Sequence, residues 1–485
     1  MSQDLQGRPA AIPPGRTARR SRWRMALAAA AGAAMLAACG GGGGYDYNDG
    51  PYSCSTQDRQ VWLRDYMNDW YFWYDISPSP SPAGYTSVDT YFQALLYEGT
   101  DPDFPADRWS YLADQDDYDR FYGDGETLGY GVMVAGLEVQ GRPDQPLLVR
   151  YVEPGSPAAT AGVQRGEEIL SINGRPASEY IADDDYTVLS ATATNQVLTL
   201  RLANDDGERT VTLTSAIYDL APVPTSTVIT TPSNRKMGYI MVKDMIDQAV
   251  VRVDQAFGQF KSQGVQDVII DLRYNGGGLV SVADKIASFP NGDDTAGQVF
   301  TSLLYNDKKD DRHNDSFRFY NYANATGLNR VYVITGARTC SASELVINGL
   351  RPFVTVVTVG DTTCGKPVGF LPQADGCGTV VNAVNFESVN ASNEGRYFDG
   401  FDATCPVAED FSQPIGGVND PLRIAAEDHA DGFSCTTVAG ARARPERLAQ
   451  AAQSTGRSRV LGLVQPAQRQ VRLVEPGDRG GMLAK

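Results

Sequence analysis

Three apolar runs of strand length, each cut off by an unusual turn, set the strongest constraint on how this chain can fold. Val265–Leu272, Val331–Thr335 and Phe353–Val359 read as strands buried on both faces. The first runs into Arg273-Tyr274-Asn275-Gly276-Gly277-Gly278. The second ends at Arg338-Thr339-Cys340-Ser341-Ala342-Ser343-Glu344, and the third at Gly360-Asp361-Thr362-Thr363-Cys364-Gly365-Lys366. One apolar helix through Leu345, Val346 and Leu350 joins the second strand to the third, which makes them parallel neighbours. Their carboxyl ends then share one edge, where open α/β sheets place their sites. Ser341 and Lys366 face each other there although 25 positions apart, and the glycine turn can join them.

That arrangement has a chemical reading. A serine at a helix N-terminus is expected to be exposed, and the helix dipole favours negative charge forming beside it, but it needs a base. The chain has two histidines, His313 and His429, both in polar stretches away from any strand end. A lysine partly buried in a glycine turn has a lowered pKa and can take the serine proton. Amides of the glycine turn and of Ala342 would stabilise an oxyanion. Ser343 lies two positions on, about 200° around a helix, and points back toward the body.

Residues 126–218 read as short strands and turns. Gly129-Tyr130-Gly131-Val132 opens them and Leu147–Val152 forms a strand. A helix at Ala158–Ala161 leads into Gly162-Val163-Gln164-Arg165-Gly166-Glu167-Glu168-Ile169-Leu170-Ser171-Ile172-Asn173-Gly174. Strands at 197–202 and 209–214 are joined through Asp205-Asp206-Gly207, a hairpin signal. This segment resembles a PDZ domain. The resemblance implies that the amides of Tyr130, Gly131 and Val132 receive a peptide's terminal carboxylate while the peptide adds a strand to a sheet edge.

The PDZ-like segment, Asp271-Leu272-Arg273-Tyr274-Asn275-Gly276-Gly277-Gly278, Thr339-Cys340-Ser341-Ala342-Ser343-Glu344 and Gly365-Lys366 occur in an order that resembles the C-terminal processing peptidases, or tail-specific proteases. The likeness covers roughly residues 126–385. It implies an α/β fold with a ClpP/crotonase-like protease core, Ser341 as nucleophile and Lys366 as general base. Gly278 and Ala342 supply the oxyanion amides, with Gly277 the near alternative, and no metal or cofactor is implied. Many members continue Gly-Lys-Gly-x-x-Gln, where the glutamine orients the lysine; here Phe370 stands at that position. Two other readings remain: a non-catalytic, PDZ-containing peptide-binding lipoprotein, and a crotonase-type acyl-CoA enzyme, which leaves the PDZ-like segment unexplained.

Composition bounds the surroundings. The 485 residues carry a formal charge of -17. Residues 1–39 hold +5 and residues 438–485 hold +6; subtracting both leaves -28 on residues 40–437. Such a body repels a phosphate backbone, so nucleic acid is not expected as a partner. Arg19, Arg20, Arg22 and Arg24 precede an Ala-rich apolar run to Ala38, too short for a membrane span. Leu36-Ala37-Ala38-Cys39 resembles a bacterial lipobox, which implies lipidation of Cys39, a membrane attachment through the lipid and an outer-membrane site facing the periplasm. Six further cysteines suggest disulfides in an oxidising compartment, and no Cys/His spacing points to zinc.

The expected organisation is a signal at 1–39, a Gly-rich tether at 40–50 and a helical N-terminal domain at 51–125. A PDZ domain at 126–218, a Ser-Lys protease domain at 219–437 and a basic tail without fixed structure at 438–485 follow. The N-terminal helix is expected from Val61 to Tyr74, and the polar segment 291–325 as an insertion or lid. The expected substrates are proteins or peptides with free C-termini.

Overall fold

A computed structural model of the chain describes residues 50–435, 459–464 and 482–483. The expected signal and Cys39 lie outside the described residues. Among those described, no helix is long and apolar enough to cross a membrane.

At the amino end, α1 (Thr56–Trp70) is capped by Ser55, whose hydroxyl accepts from the Asp58 N–H. It stops four residues short of the expected Tyr74. Tyr71 turns extended so that its ring enters the core, where its hydroxyl donates to Asp107 at 2.6 Å. A second helix, α2 (Val88–Leu95), buries Tyr91 and Phe92. These aromatics have no core of their own: Tyr66, Tyr71, Trp73 and Tyr91 belong to one continuous apolar cluster with the α/β body. A Cys54–Cys377 disulfide and the Arg59–Asp375 ion pair fasten the start of α1 to that body.

The next segment forms a six-stranded antiparallel sheet whose main path runs β1 (Val132–Val134), β2 (Leu147–Val152), β3 (Glu168–Ile172), β4 (Val197–Asn204) and β5 (Gly207–Thr214), with the short strand Arg175–Pro176 pairing with β3 off that path. The hairpin closes at Asp205-Asp206, with Asn204 opposite Gly207. Val149, Ile169, Leu200 and Leu202 fill a separate core.

The α/β body begins with β6 (Thr225–Thr230), β7 (Lys236–Met241), α3 (Asp247–Gln263) and β8 (Asp267–Asp271). It continues through β9 (Gly278–Leu279), α4 (Val280–Asn291), β10 (Val299–Tyr305), β11 (Asp315–Arg318) and β12 (Arg330–Thr335). Then come α5 (Ala342–Leu350), β13 (Thr355–Gly360), β14 (Val368–Phe370), β15 (Val384–Val389) and β16 (Cys405–Pro406). The helix α6 (Pro421–Ala430) and the two-residue β17 (Met482–Leu483) complete it.

Two six-stranded sheets result. The first, β6-β7-β8-β12-β13-β16, is parallel except for β6. Its alternation explains the apolar runs: Val268, Ile270, Val331 and Val333 meet the cluster shared with α3, α4 and α5. Ile269, Tyr332, Ile334 and Val357 meet α6 on the opposite face. The second sheet runs β9-β17-β14-β15-β10-β11.

Two expectations change. The segment 291–325 contributes β10, an interior strand of the second sheet with Phe300 and Leu303 buried, so it is not a lid over the domain. Its Asp and Asn residues lie outside β10, in the segments before it, from its end to the first residue of β11, and after β11. Two pieces of the basic tail also pair with the body. Arg459–Val464 packs along the antiparallel module, and β17 enters the second sheet.

The Cys54–Cys377 bond closes a loop of 323 residues. Removing it with Cys54→Ser and Cys377→Ser should lower stability by about 2–5 kcal/mol. Urea unfolding of the double variant against the parent measures this.

Candidate active site

The first sheet aligns its turns as the sequence implies. Asp271 is in register with Ile334, and Thr335 with Gly360, so the turns after β8, β12 and β13 emerge side by side. Cross-bonds lock them together. The Cys340 N–H donates to the Asn275 carbonyl at 3.1 Å, and the Cys364 N–H to the Thr339 carbonyl at 3.0 Å. Cys340 and Cys364 are joined by a disulfide, so the residue before Ser341 is covalently tied to the turn that carries Lys366.

Ser341 is the N-cap of α5. Its φ of 61° and ψ of -117° are strained for a residue with a side chain, a conformation costing about 1–3 kcal/mol and concentrated at functional sites. Its Oγ is buried rather than exposed as expected, because the glycine and lysine turns close over it, and apart from the capping-box approach of the Glu344 N–H it has no hydrogen-bond partner among the described residues. Ser343 instead donates to the Asn275 carbonyl and side-chain oxygens at 2.9 and 2.8 Å. The two serines of the turn therefore have different employment: Ser343 braces the glycine turn, and Ser341 donates to no acceptor.

Gly277 lies against the serine turn, where a Cβ would stand 3.0 Å from the Ser341 Cβ and 3.1 Å from the Ala342 nitrogen. Its φ is +110°, so glycine is needed twice over. The Gly277 N–H is committed to Asn275 Oδ1 at 2.8 Å, and the Ser341 N–H to Glu344 Oε2 at 2.9 Å.

Lys366 is only 3% exposed, and burial brings its ammonium from the usual lysine range down to about 7. The charges of Asp107 and Glu344 work in the opposite direction without overcoming burial. No hydrogen bond joins Lys366 Nζ to Ser341 Oγ; the Nζ rests 3.9 Å from the centroid of the Phe370 ring. Phe370 thus occupies the orienting position with an aromatic face, which attracts the charged form of the amine.

The residue that sequence reasoning left without a role is Glu344. It is fully buried, and burial pushes its carboxyl up while several hydrogen bonds pull it down. Oε1 accepts from the Thr363 hydroxyl and the Gly365 N–H, and Oε2 from the Ser341 and Lys366 N–H groups. One carboxylate therefore ties the serine turn to the lysine turn. The Ser-x-x-Glu spacing at a helix start is the capping-box signal that could have marked it. Asp107 was also missed; it reaches Lys366 only through the fold.

The histidines lie elsewhere. His313 packs on the rings of Trp70 and Tyr305, and His429 Nδ1 lies 2.9 Å from the Tyr332 hydroxyl on the α6 face.

In the antiparallel module, Tyr130, Gly131 and Val132 line one cavity together with Leu189, Tyr218 and Lys243. Gly131 has φ +77°, and a Cβ there would stand 2.0 Å from the Ser156 Cβ. A side chain at Gly131 would unseat Ser156 before touching any ligand. The module reaches the serine turn through Glu138, which pairs with Arg338 at 2.6 Å.

With this geometry in view, the sequence matches the models for peptidase family S41 at residues 236–394, the S41 N-terminal domain at 58–111 and a PDZ domain at 148–204. Residues 58–111 and 236–394 thus carry the two domains that define peptidase family S41. Among its relatives is the chloroplastic carboxyl-terminal-processing peptidase 3 of Arabidopsis thaliana. It is 28% identical over 260 residues, 51% of this chain and 47% of that protein. A carboxyl-terminal-processing protease of Synechocystis sp. is 26% identical over 257 residues, 52% of this chain and 58% of that one. The chain thus spans about half the length of these curated relatives. A solved structure from Bacteroides fragilis NCTC 9343, assigned to the S41 proteases, superposes with a TM-score of 0.60 at 25% identity. That match covers 76% of this chain and 97% of the other.

A lysine held neutral by burial destabilises the fold wherever water would protonate it. The cost is full below about pH 7 and fades as pH rises from 7 toward the ordinary lysine value. Lys366→Met should therefore stabilise the protein by on the order of 3–5 kcal/mol at pH 7 and much less at pH 10. Unfolding measured at the two pH values checks it.

Proposed function

We propose that this chain is a serine endopeptidase of the bacterial envelope that cleaves proteins recognised through their C-termini, with Ser341 as nucleophile and Lys366 as general base. One observation carries the reading. A strained serine that donates to no acceptor and a lysine whose amine is brought down to about 7 are held on adjacent turns by one disulfide and one buried carboxylate.

In the proposed cycle, the Lys366 side chain swings from the Phe370 face to Ser341 Oγ and takes its proton as the oxygen attacks a peptide carbonyl. The Gly277 and Ser341 amides are committed within the turns themselves, so the developing oxyanion is assigned to the N–H groups of Gly278 and Ala342, with Gly278 released from its pairing with Met482. Lys366 then protonates the departing amine; in the second half the neutral Lys366 amine takes a proton from water as it attacks the acyl carbonyl and returns that proton to Ser341 Oγ as the acid leaves. No metal or cofactor has a part in this cycle. The PDZ module presents the substrate, with Tyr130, Gly131 and Val132 offering amides to a terminal carboxylate.

Three disulfides suit an oxidising compartment, and acylated Cys39 would hold the protein at the membrane through its lipid, on the periplasmic side of the outer membrane. One observation favours a non-catalytic, peptide-binding reading: the amine faces Phe370 rather than the serine. Substitution decides between them. Cleavage of an unfolded protein should fall by about a thousandfold or more in Ser341→Ala, and equally in Lys366→Arg, which cannot act as a base. In the parent chain, kcat/KM should rise with pH through about 7 as Lys366 loses its proton. In Phe370→Leu that limb should move to lower pH, because the ring no longer favours the ammonium. Unreduced cleavage in Ser341→Ala would establish a different nucleophile.

A further inference from the structure

The strand β17 is the clearest feature that the proposed chemistry does not use. Met482 pairs with Gly278 and Leu483 with Leu279, both parallel, and Leu483 also pairs with Phe370 of β14. Its two neighbours are the walls of the candidate site. One, β9, begins at Gly278, beside the serine turn; the other, β14, begins two residues after Lys366. The sheet order β9-β17-β14 leaves between those walls a slot one extended chain wide, about 10 Å from strand to strand. Main-chain groups on both walls are directed at whatever fills it.

A second observation agrees. Ser341 is completely buried and Lys366 nearly so, so a protein chain cannot reach the nucleophile in this state. A third concerns Val464, the last described residue before β17. The Val464 N–H donates to Asp361 Oδ2 at 2.7 Å, on the turn that carries Lys366, and 17 residues then lead to Met482. The segment around β17 reads Gly480-Gly481-Met482-Leu483-Ala484, uncharged and small or apolar, the composition of a chain that can lie extended in a buried slot.

We propose that the slot between β9 and β14 receives an extended polypeptide in parallel register, and that this chain's own Met482–Leu483 segment is its resident ligand, which a protein substrate must displace. The proposal rests on the peptidase reading for its consequence in turnover, but the binding it asserts does not. The recognition is main-chain pairing, so it tolerates varied side chains and excludes residues lacking an N–H.

The experiment compares the full chain with a variant lacking residues 465–485. Deletion should lower KM for an unfolded protein substrate by about tenfold or more while kcat stays unchanged, since an intramolecular competitor has been removed. A synthetic peptide of residues 478–485 should inhibit the deleted variant competitively, and the same peptide N-methylated at Met482 and Leu483 should not. An unchanged KM would overturn the proposal. Should the peptidase reading itself be wrong, both chains are inactive and a binding readout remains. The fluorescently labelled 478–485 peptide should bind the deleted variant carrying Ser341→Ala at least tenfold more tightly than the full-length Ser341→Ala chain, by anisotropy. Equal binding to the two would overturn the proposal independently of any chemistry.

Discussion

The candidate site depends on one buried carboxylate. Glu344 sits at the start of α5 and accepts four hydrogen bonds, from Ser341, Thr363, Gly365 and Lys366. A charge excluded from water is tolerable only when its lone pairs are satisfied, and here every satisfying donor comes from one of the two turns it joins. The requirement works in both directions. The turns hold the carboxylate in its burial, and the carboxylate fixes the backbone of the serine turn relative to the lysine turn. The Cys340–Cys364 disulfide repeats the same tie covalently, one residue before the serine and two before the lysine.

Local cost accumulates around that tie. Ser341 adopts a left-handed φ, burial brings the Lys366 amine down to about 7, and the serine hydroxyl donates to no acceptor. Each is unfavourable taken alone, and together they are sustained by the packing of two sheets and the aromatic N-terminal helices into one cluster. The aromatic stripe of α1 and the segment after it is therefore not remote from the chemistry. Tyr71 holds Asp107 with its hydroxyl, and Asp107 bears electrostatically on Lys366.

The antiparallel module is bound into the same frame. Arg338, two residues before Cys340, meets Glu138 of the module, and Arg165 meets Glu409 across from Tyr274 in the glycine turn. A change in the module's position therefore acts on two of the three turns that build the site.

By itself the sequence determined the order of the modules, the parallel run of β8, β12 and β13 and the meeting of the three turns at their carboxyl ends. It did so because buried strands need long apolar runs and a single connecting helix permits few topologies. It also told the directions of Ser341 and Ser343 apart, since a step of two positions on a helix reverses the direction of a side chain, although Ser343 turns to Asn275 of the glycine turn rather than to the body. Local pattern misjudged the end of α1, because Tyr71 leaves the helix to bury its ring, and it took β10 for a polar insertion, because the acidic connection to β11 outweighed its apolar alternation. Tertiary structure alone decided which cysteines pair, that Glu344 spans both turns, that Phe370 lies under the lysine amine and that Met482–Leu483 enters the second sheet. Those are contacts between residues distant in the chain, and their geometry is set by how whole sheets and helices pack, which no local pattern of residues encodes.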